Sequence, residues 1–380
     1  MGAGSMSRNV VAKAERIVIK IGSSSLTGRS GARLNRAMLD LFVDLIASLI
    51  KRGKEVVVVS SGAIATGLAP LGLTSRPRDL ALQQAAASVG QGLLIRNYSD
   101  SFSRHGLLVS QVLLTLEDVV RRSHYKNVQS TLAKLLELDV IPIINENDSV
   151  GVAEIKFGDN DRISALVAHI VKADLLVLIS DVDALYDIPP NSPPSNGLSG
   201  NVIRTVRNFE EIEDIALTDA TSKVGSGGMI TKIEAARIAT SAGITMLLTN
   251  LENASLAFAG EEVGTVFLAR EEKMSSRLFW LAHASSSRGR LFLDSGAAIA
   301  ICERGTSLLA AGVTRVEGDF SSGDTVDLIN SQGELIARGI VAFDAEDIPK
   351  ILGKSTRDLA KEFGPEYGRE LVHRDEMVLL

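Results

Sequence analysis

Short runs of Val, Ile and Leu without polar alternation recur along the first 270 residues, and they constrain the fold more than any other feature. They cover residues 16–21, 55–60, 106–114, 140–145, 174–180 and 244–249. A strand with one solvated face alternates apolar and polar side chains, whereas an unbroken apolar run suits a strand buried on both faces. Between the first two runs, Met38, Leu41, Phe42, Leu45, Ile46 and Leu49 recur at helical spacing, and Gly53 supplies the residue that ends a helix. Strand, helix, parallel strand repeats to about residue 270. We therefore expect an α/β domain over residues 1–270, with an open, mostly parallel sheet sandwiched by helices.

The pattern changes after Arg270. Residues 271–288 are polar and Ser-rich and read as a linker. Beyond them, G-R-L-F-L-D-S-G, G-V-T-R-V-E-G-D-F, G-D-T-V-D-L-I-N and G-E-L-I-A-R-G-I-V-A-F are short strands with turns, which predicts a small β-rich domain over residues 289–380. Two domains also suit a chain of 380 residues, too long for one ordinary core. Within the first domain, residues 187–201 hold four of the nine prolines and are expected to form a surface loop, either a lid or a variable insertion.

A formal charge of −6 argues against a surface built to neutralise nucleic-acid phosphates or an anionic membrane. The opening residues lack a secretory apolar stretch, and no apolar run reaches the length of a membrane span, so a cytoplasmic location is expected. The single cysteine, Cys302, can form no intrachain disulfide and suits a reducing compartment.

Polar residues gather where the apolar runs end. The first run, V-I-K-I-G-S-S-S, places Lys20 within a strand and Gly22 just past it. Either that ammonium reaches solvent at a sheet edge or it meets an anion, since burying it alone is costly. The second run delivers Ser60, Ser61 and Gly62, as a helix cap, a ligand contact or both. Asn145, Glu146, Asn147 and Asp148 follow the fourth run. Asp159, Asn160 and Asp161 open a helix whose apolar positions are Ile163, Leu166, Val167 and Ile170. Ser180 and Asp181 follow the fifth. Further on, V-G-S-G-G-M-I-T-K sets Gly225, Gly227 and Gly228 before a helix with Thr231 and Lys232 in its first turn, a design that offers backbone N–H groups and a cation to phosphate. A P-loop and a dinucleotide-binding glycine motif are both absent.

In order, V-I-K-I-G-S-S, V-S-S-G-A-I-A-T-G, I-I-N-E-N-D, F-G-D-N-D, S-D-V-D-A-L-Y and G-S-G-G-M-x-T-K resemble the amino-acid kinase family, and within it the branch that phosphorylates the side chain of glutamate. The C-terminal D-x-G-A-x-x-A-I-x-E-R-G-x-S-L-L and G-x-F-x-x-G-D resemble a PUA domain. The resemblance implies ATP and Mg²⁺ as cofactors, with Lys20, Lys232 and Asp161 catalytic. It implies Ser61, Asp148 and Asn160 as glutamate-binding residues, and Lys20, Ser180, Asp181, Ser226, Gly227, Gly228, Met229, Ile230, Thr231 and Lys232 as the nucleotide site. No residue is assigned to a metal. A homo-oligomer, feedback inhibition by proline and hand-over of the product to a glutamyl phosphate reductase are likewise implied.

Such chemistry suits the residues present. A side-chain carboxylate is ionised at neutral pH and needs no general base, in keeping with His105, His124, His169, His283 and His373 all lying outside the motifs. What the reaction requires is fixed cations where one anion approaches another. Two alternatives stand beside this reading. One is a sibling kinase acting on another carboxylate or phosphate; the other is an RNA-binding protein built on the PUA-like domain. Seven basic against ten acidic residues between Arg288 and Lys354 weigh against the second.

Overall fold

A computed structural model describes residues 3–27, 33–120, 122–150, 160–188, 200–212, 228–270, 274–284 and 287–380. The chain divides into two compact units, Met1–Lys273 and Met274–Leu380.

In the first unit the described strands are β1 (Arg16–Ile21), β2 (Glu55–Ser60), β3 (Leu108–Leu114), β4 (Val140–Glu146), β5 (Leu175–Ser180), β6 (Leu185–Tyr186), β7 (Val202–Ile203), β8 (Thr205–Val206), β9 (Thr245–Asn250) and β10 (Thr265–Phe267). Eight of them form one sheet in the order β3-β4-β2-β1-β5-β9-β10-β8, and β6 pairs with β7 alone. The six apolar runs read from the sequence become the six strands from β3 to β9, all paired in parallel; β10 then runs antiparallel to β9. β1 and β2 have the expected ends, and those of the other four differ by at most two residues.

The central strand is β1, with β2 on one side and β5 on the other. The chain builds outward from β1 in one direction through β2, β4 and β3, then in the other through β5 and β9. The carboxyl ends of β1, β2 and β5 therefore meet where strand order reverses, the crevice in which open α/β sheets bind ligands. Alternation along β1 sends Ile17, Ile19 and Ile21 into one core, together with Phe42 and Ile46 of the helix Arg36–Lys51. Lys20 consequently points to the opposite face, where the helix Asn160–Ile170 packs.

Two helices beside the crevice cross at glycines. A Cβ on Gly67 of the helix Ala63–Leu68 would lie 1.9 Å from the carbonyl oxygen of Ala86, and one on Gly90 of the helix Leu80–Ser103 would lie 1.8 Å from that of Ala63. Only backbone meets backbone there, and no flexible side chain is available to give way. Ala63 of one helix and Gln91 of the other line the same pocket.

The second unit holds a five-stranded sheet of β11 (Gly289–Leu293), β12 (Val313–Gly318), β13 (Thr325–Ile329), β14 (Leu335–Val341) and β15 (Val372–Leu379), in the order β12-β11-β13-β14-β15. Leu291, Ile301, Leu328, Phe343, Ile351 and Leu359 bring the sheet and its three helices into one core. Part of the expected linker is helical: residues 276–284 wind as a short helix whose Leu281 and Ala282 pack on Val378 of β15. Most of the proline-rich stretch, residues 189–199, lies outside the described residues; its base is tied by Asp187, whose carboxylate accepts from the backbone N–H and side-chain amide of Asn201 at 2.6 and 3.0 Å.

Adding one methyl at the glycine crossing forces the backbones apart. Gly90→Ala is expected to lower unfolding free energy by about 1–3 kcal/mol, the usual range for overpacking. Urea unfolding checks this, and a midpoint equal to that of the wild type refutes the close approach.

Candidate functional site

Lys20 is 8% exposed and Lys232 6%, although they come from the first strand and from the helix Met229–Ser241. Both meet Asp161, which is 1% exposed: Lys20 Nζ lies 2.6 Å from Asp161 Oδ1, and Lys232 Nζ lies 3.6 Å from Oδ2. Thr231 adds a hydroxyl that donates to Oδ2 at 2.8 Å. The helix Asn160–Ile170 packs against both β1 and the helix Met229–Ser241, and its first turn brings Asp161 between the two lysines.

Burial by itself would push the Asp161 carboxyl up, but Lys20, Lys232 and the hydroxyl of Thr231 outweigh it and hold the group below the ordinary carboxylate range. The linkage sign follows. A carboxyl depressed in the folded state stabilises the fold fully above its unfolded pKa, near 3.9, and loses that contribution only as pH falls through its lower folded value.

Beside the lysines runs a line of amides. Asn160 Nδ2 donates to Ser61 Oγ at 2.9 Å, to Asn145 Oδ1 at 3.2 Å and to the carbonyl of Ser60 at 3.5 Å. Asn145 Nδ2 donates in turn to Gln91 Oε1 at 2.7 Å. Ser60 and Tyr98, both fully buried, share a hydrogen bond of 2.9 Å beneath this line. Burial pushes the Tyr98 phenol well above its ordinary range, so it stays protonated. Asn160 and Asp161 thus direct their side chains to tertiary partners rather than to capping their own helix, and Asp159 lies outside the described residues. Likewise, Gly62 caps the helix Ala63–Leu68 in a left-handed conformation, φ 104°, while the Ser61 hydroxyl accepts from Asn160.

Past β4 the chain forms one wall of a pocket of about 210 Å³, where Glu146, Asn147 and Asp148 face Ala87, Ser88 and Gln91. Burial raises the Asp148 carboxyl to about 6, opposed by the charge of Arg76. At the end of β5, Ser180 Oγ donates to Asp181 Oδ1 at 2.9 Å. Gly228, extended in backbone conformation, caps the helix that carries Met229, Ile230, Thr231 and Lys232, and as glycine it brings no side chain of its own to the helix start. Ser226 and Gly227 lie outside the described residues.

The fold therefore brings Lys20, Lys232, Asp161, Asn160 and Ser61 into one connected cluster. Asp148 stands on the pocket wall three residues beyond Asn145. Asn145 was singled out in the sequence only as part of a polar strand end, and Gln91, Tyr98 and Arg76 were not singled out at all. A signal for Gln91 existed: it is the one long polar side chain among the small residues of the stretch 85–92.

The amino acid kinase family model matches residues 15–250, and the PUA domain model residues 289–363. This chain belongs to the amino acid kinase family. Its curated relatives include the glutamate 5-kinase of Frankia casuarinae, 55% identical over 98% of this chain and 99% of that one. The glutamate 5-kinase of Thermobifida fusca is 52% identical over 100% of this chain and 97% of its own, and that of Salinispora arenicola 54% identical over 98% and 100%. Membership of this kinase family accords with a crevice at the strand switch point and two buried lysines beside it.

Removing the shared anion leaves two buried ammonium groups facing each other. Asp161→Asn is expected to cost about 3–5 kcal/mol of stability at pH 7, as when one partner of a buried ion pair is deleted. Urea unfolding measures it; a loss under about 1 kcal/mol would mean that the two lysines find other acceptors.

Proposed function

We propose that this chain is a glutamate 5-kinase, transferring the γ-phosphoryl group of ATP to the side-chain carboxylate of glutamate to give glutamyl 5-phosphate, the first step of proline synthesis. The observation that carries the reading is the convergence of Lys20 and Lys232 on Asp161 at the crevice where strand order reverses. The strong identity to glutamate 5-kinases over nearly the whole chain supports the choice of acceptor.

In this reading one oxygen of the glutamate γ-carboxylate forms a bond to the γ-phosphorus while the bond from that phosphorus to the bridging oxygen breaks, and ADP leaves with the electron pair. Nucleophile and electrophile are both anionic, so the barrier includes their repulsion. Lys20 and Lys232 hold positive charge at fixed places where the phosphoryl oxygens pass, and their reorganisation cost is met in folding. Asp161 orients the two ammonium groups; it accepts no proton, because the nucleophile has none to give. Ser61, Asn160 and Asp148 hold the amino acid, Asp148 as the partner of its ammonium. Ser180, Asp181 and residues 226–232 hold the nucleotide.

Among the described residues no three His, Cys, Asp or Glu side chains gather into a metal cage. A Mg²⁺ carried in with ATP would take phosphate oxygens among its ligands. When bound there, the ion offsets phosphate charge. The same reading extends to proline as feedback inhibitor, a homo-oligomer, a glutamyl phosphate reductase as the next enzyme and a cytoplasmic location. No helix among the described residues is long and apolar enough to cross a membrane.

An ATP- and Mg²⁺-dependent hydroxamate assay with glutamate, repeated with acetylglutamate, aspartate and UMP and again with proline added, tests the proposal; turnover of another acceptor in preference to glutamate would sink it. Lys20→Met and Lys232→Met should each lower kcat by about 10²–10³-fold with much smaller changes in KM, the size expected for losing one electrostatic contact made in the transition state. Near-native turnover in either variant removes that lysine from the mechanism. Because Asp148 must be ionised to hold an ammonium, KM for glutamate should climb as pH falls below about 6. Asp148→Asn should raise KM throughout and flatten that dependence, which a pH series of initial rates would read.

A further inference from the structure

The amide line beside the lysines has a direction. A carboxamide offers an oxygen that only accepts and a nitrogen that only donates. Asn145 Oδ1 accepts from Asn160 Nδ2 and also from the backbone N–H of Glu146 at 2.9 Å, so the Asn145 nitrogen is the end that faces Gln91. Gln91 Oε1 receives it at 2.7 Å, which commits the Gln91 oxygen. Two groups remain at the ends of the line. Asn160 Oδ1 is buried without a hydrogen-bond partner. Gln91 Nε2 is a donor that no hydrogen bond among the described residues uses, on a residue 8% exposed that lines the pocket with Asp148 and Glu146.

The Gln91 donor and the Asp148 carboxylate line the same pocket, and together they match the two charged groups of an α-amino acid. The ammonium suits the Asp148 carboxylate. Its α-carboxylate has the harder task, for it must enter a pocket whose wall already carries Glu146 and Asp148, and it needs a donor to be held there. We infer that Gln91 is a specificity-determining residue that donates from Nε2 to the α-carboxylate of the amino-acid substrate. The inference rests on the reading of the chain as a glutamate 5-kinase, and it adds how the enzyme recognises the end of glutamate that does not react. A buried amide held by its oxygen discriminates strongly, since a ligand lacking the matching acceptor leaves the donor unpaired.

The test uses the full-length enzyme with glutamate and with isoglutamine, its α-carboxamide, which keeps the reacting side chain. Gln91→Glu retains an oxygen for Asn145 but replaces the donor with a second acceptor. It should lower kcat/KM for glutamate by about 10- to 100-fold, the worth of a hydrogen bond to a charged group. The value for isoglutamine, whose amide can donate to the new carboxylate, should fall far less or rise. Gln91→Met, which lacks the donor without adding charge, should also narrow the preference for glutamate, and thermal melts report whether each variant is folded. Equal losses on both substrates in a folded variant, or no loss in either, would overturn the inference; so would a wild type that uses isoglutamine as well as glutamate. A wild type that phosphorylates neither overturns the parent reading and this one with it, and is distinct from the other outcomes.

Discussion

Everything at the centre of the first unit depends on one carboxylate. Asp161 stands between the ammonium groups of Lys20 and Lys232, and all three side chains are almost fully buried. Taking three charges out of water is expensive, and their mutual attraction offsets that cost only when geometry and hydrogen bonding are close to ideal. A hydrophobic trio of the same volume would pack there without that cost. Retaining lysines instead fixes positive charge in a low-dielectric crevice, where it acts on an incoming phosphate far more strongly than a surface lysine in water.

The architecture supplies that crevice with little additional machinery. Unbroken aliphatic strands force both faces of the sheet to be covered by helices, and covering both faces requires the order of strands to reverse somewhere. The reversal falls at β1, whose alternation turns Lys20 to the face opposite its isoleucines. Next to it two helices cross at Gly67 and Gly90, and hydroxyl and amide groups from four separate segments meet in one hydrogen-bonded line, Ser61, Asn160, Asn145 and Gln91. The second unit has its own sheet and core, so its fold can be understood independently of this chemistry.

Much of this was legible before any coordinates. Five of the six strands announced themselves because burial on both faces leaves no room for polar alternation, whereas β3 lies at the sheet edge and is only partly buried; the turn chemistry marked where polar groups gather. Less legible were β8 and β10, of two and three residues, which are too short to carry a periodic signal. The amide line was missed for another reason. Gln91 and Asn145 are 54 positions apart and Asn160 and Ser61 are 99 apart, and no local pattern encodes contacts at such separations. Asn160 and Asp161 each find a tertiary partner, a contact that their place at a helix start does not announce.

By itself, then, the order of residues determined which segments are strands and helices, and which chemical groups lie at their ends, because those properties follow from periodicity, turn preference and the cost of burying charge. Only the tertiary structure decided that Lys20 and Lys232 share one carboxylate, that Asp148 lines a pocket with Gln91, and which way each amide points. Those facts depend on the register of parallel strands and on how closely two helices approach, and both are set by packing between segments far apart in the chain.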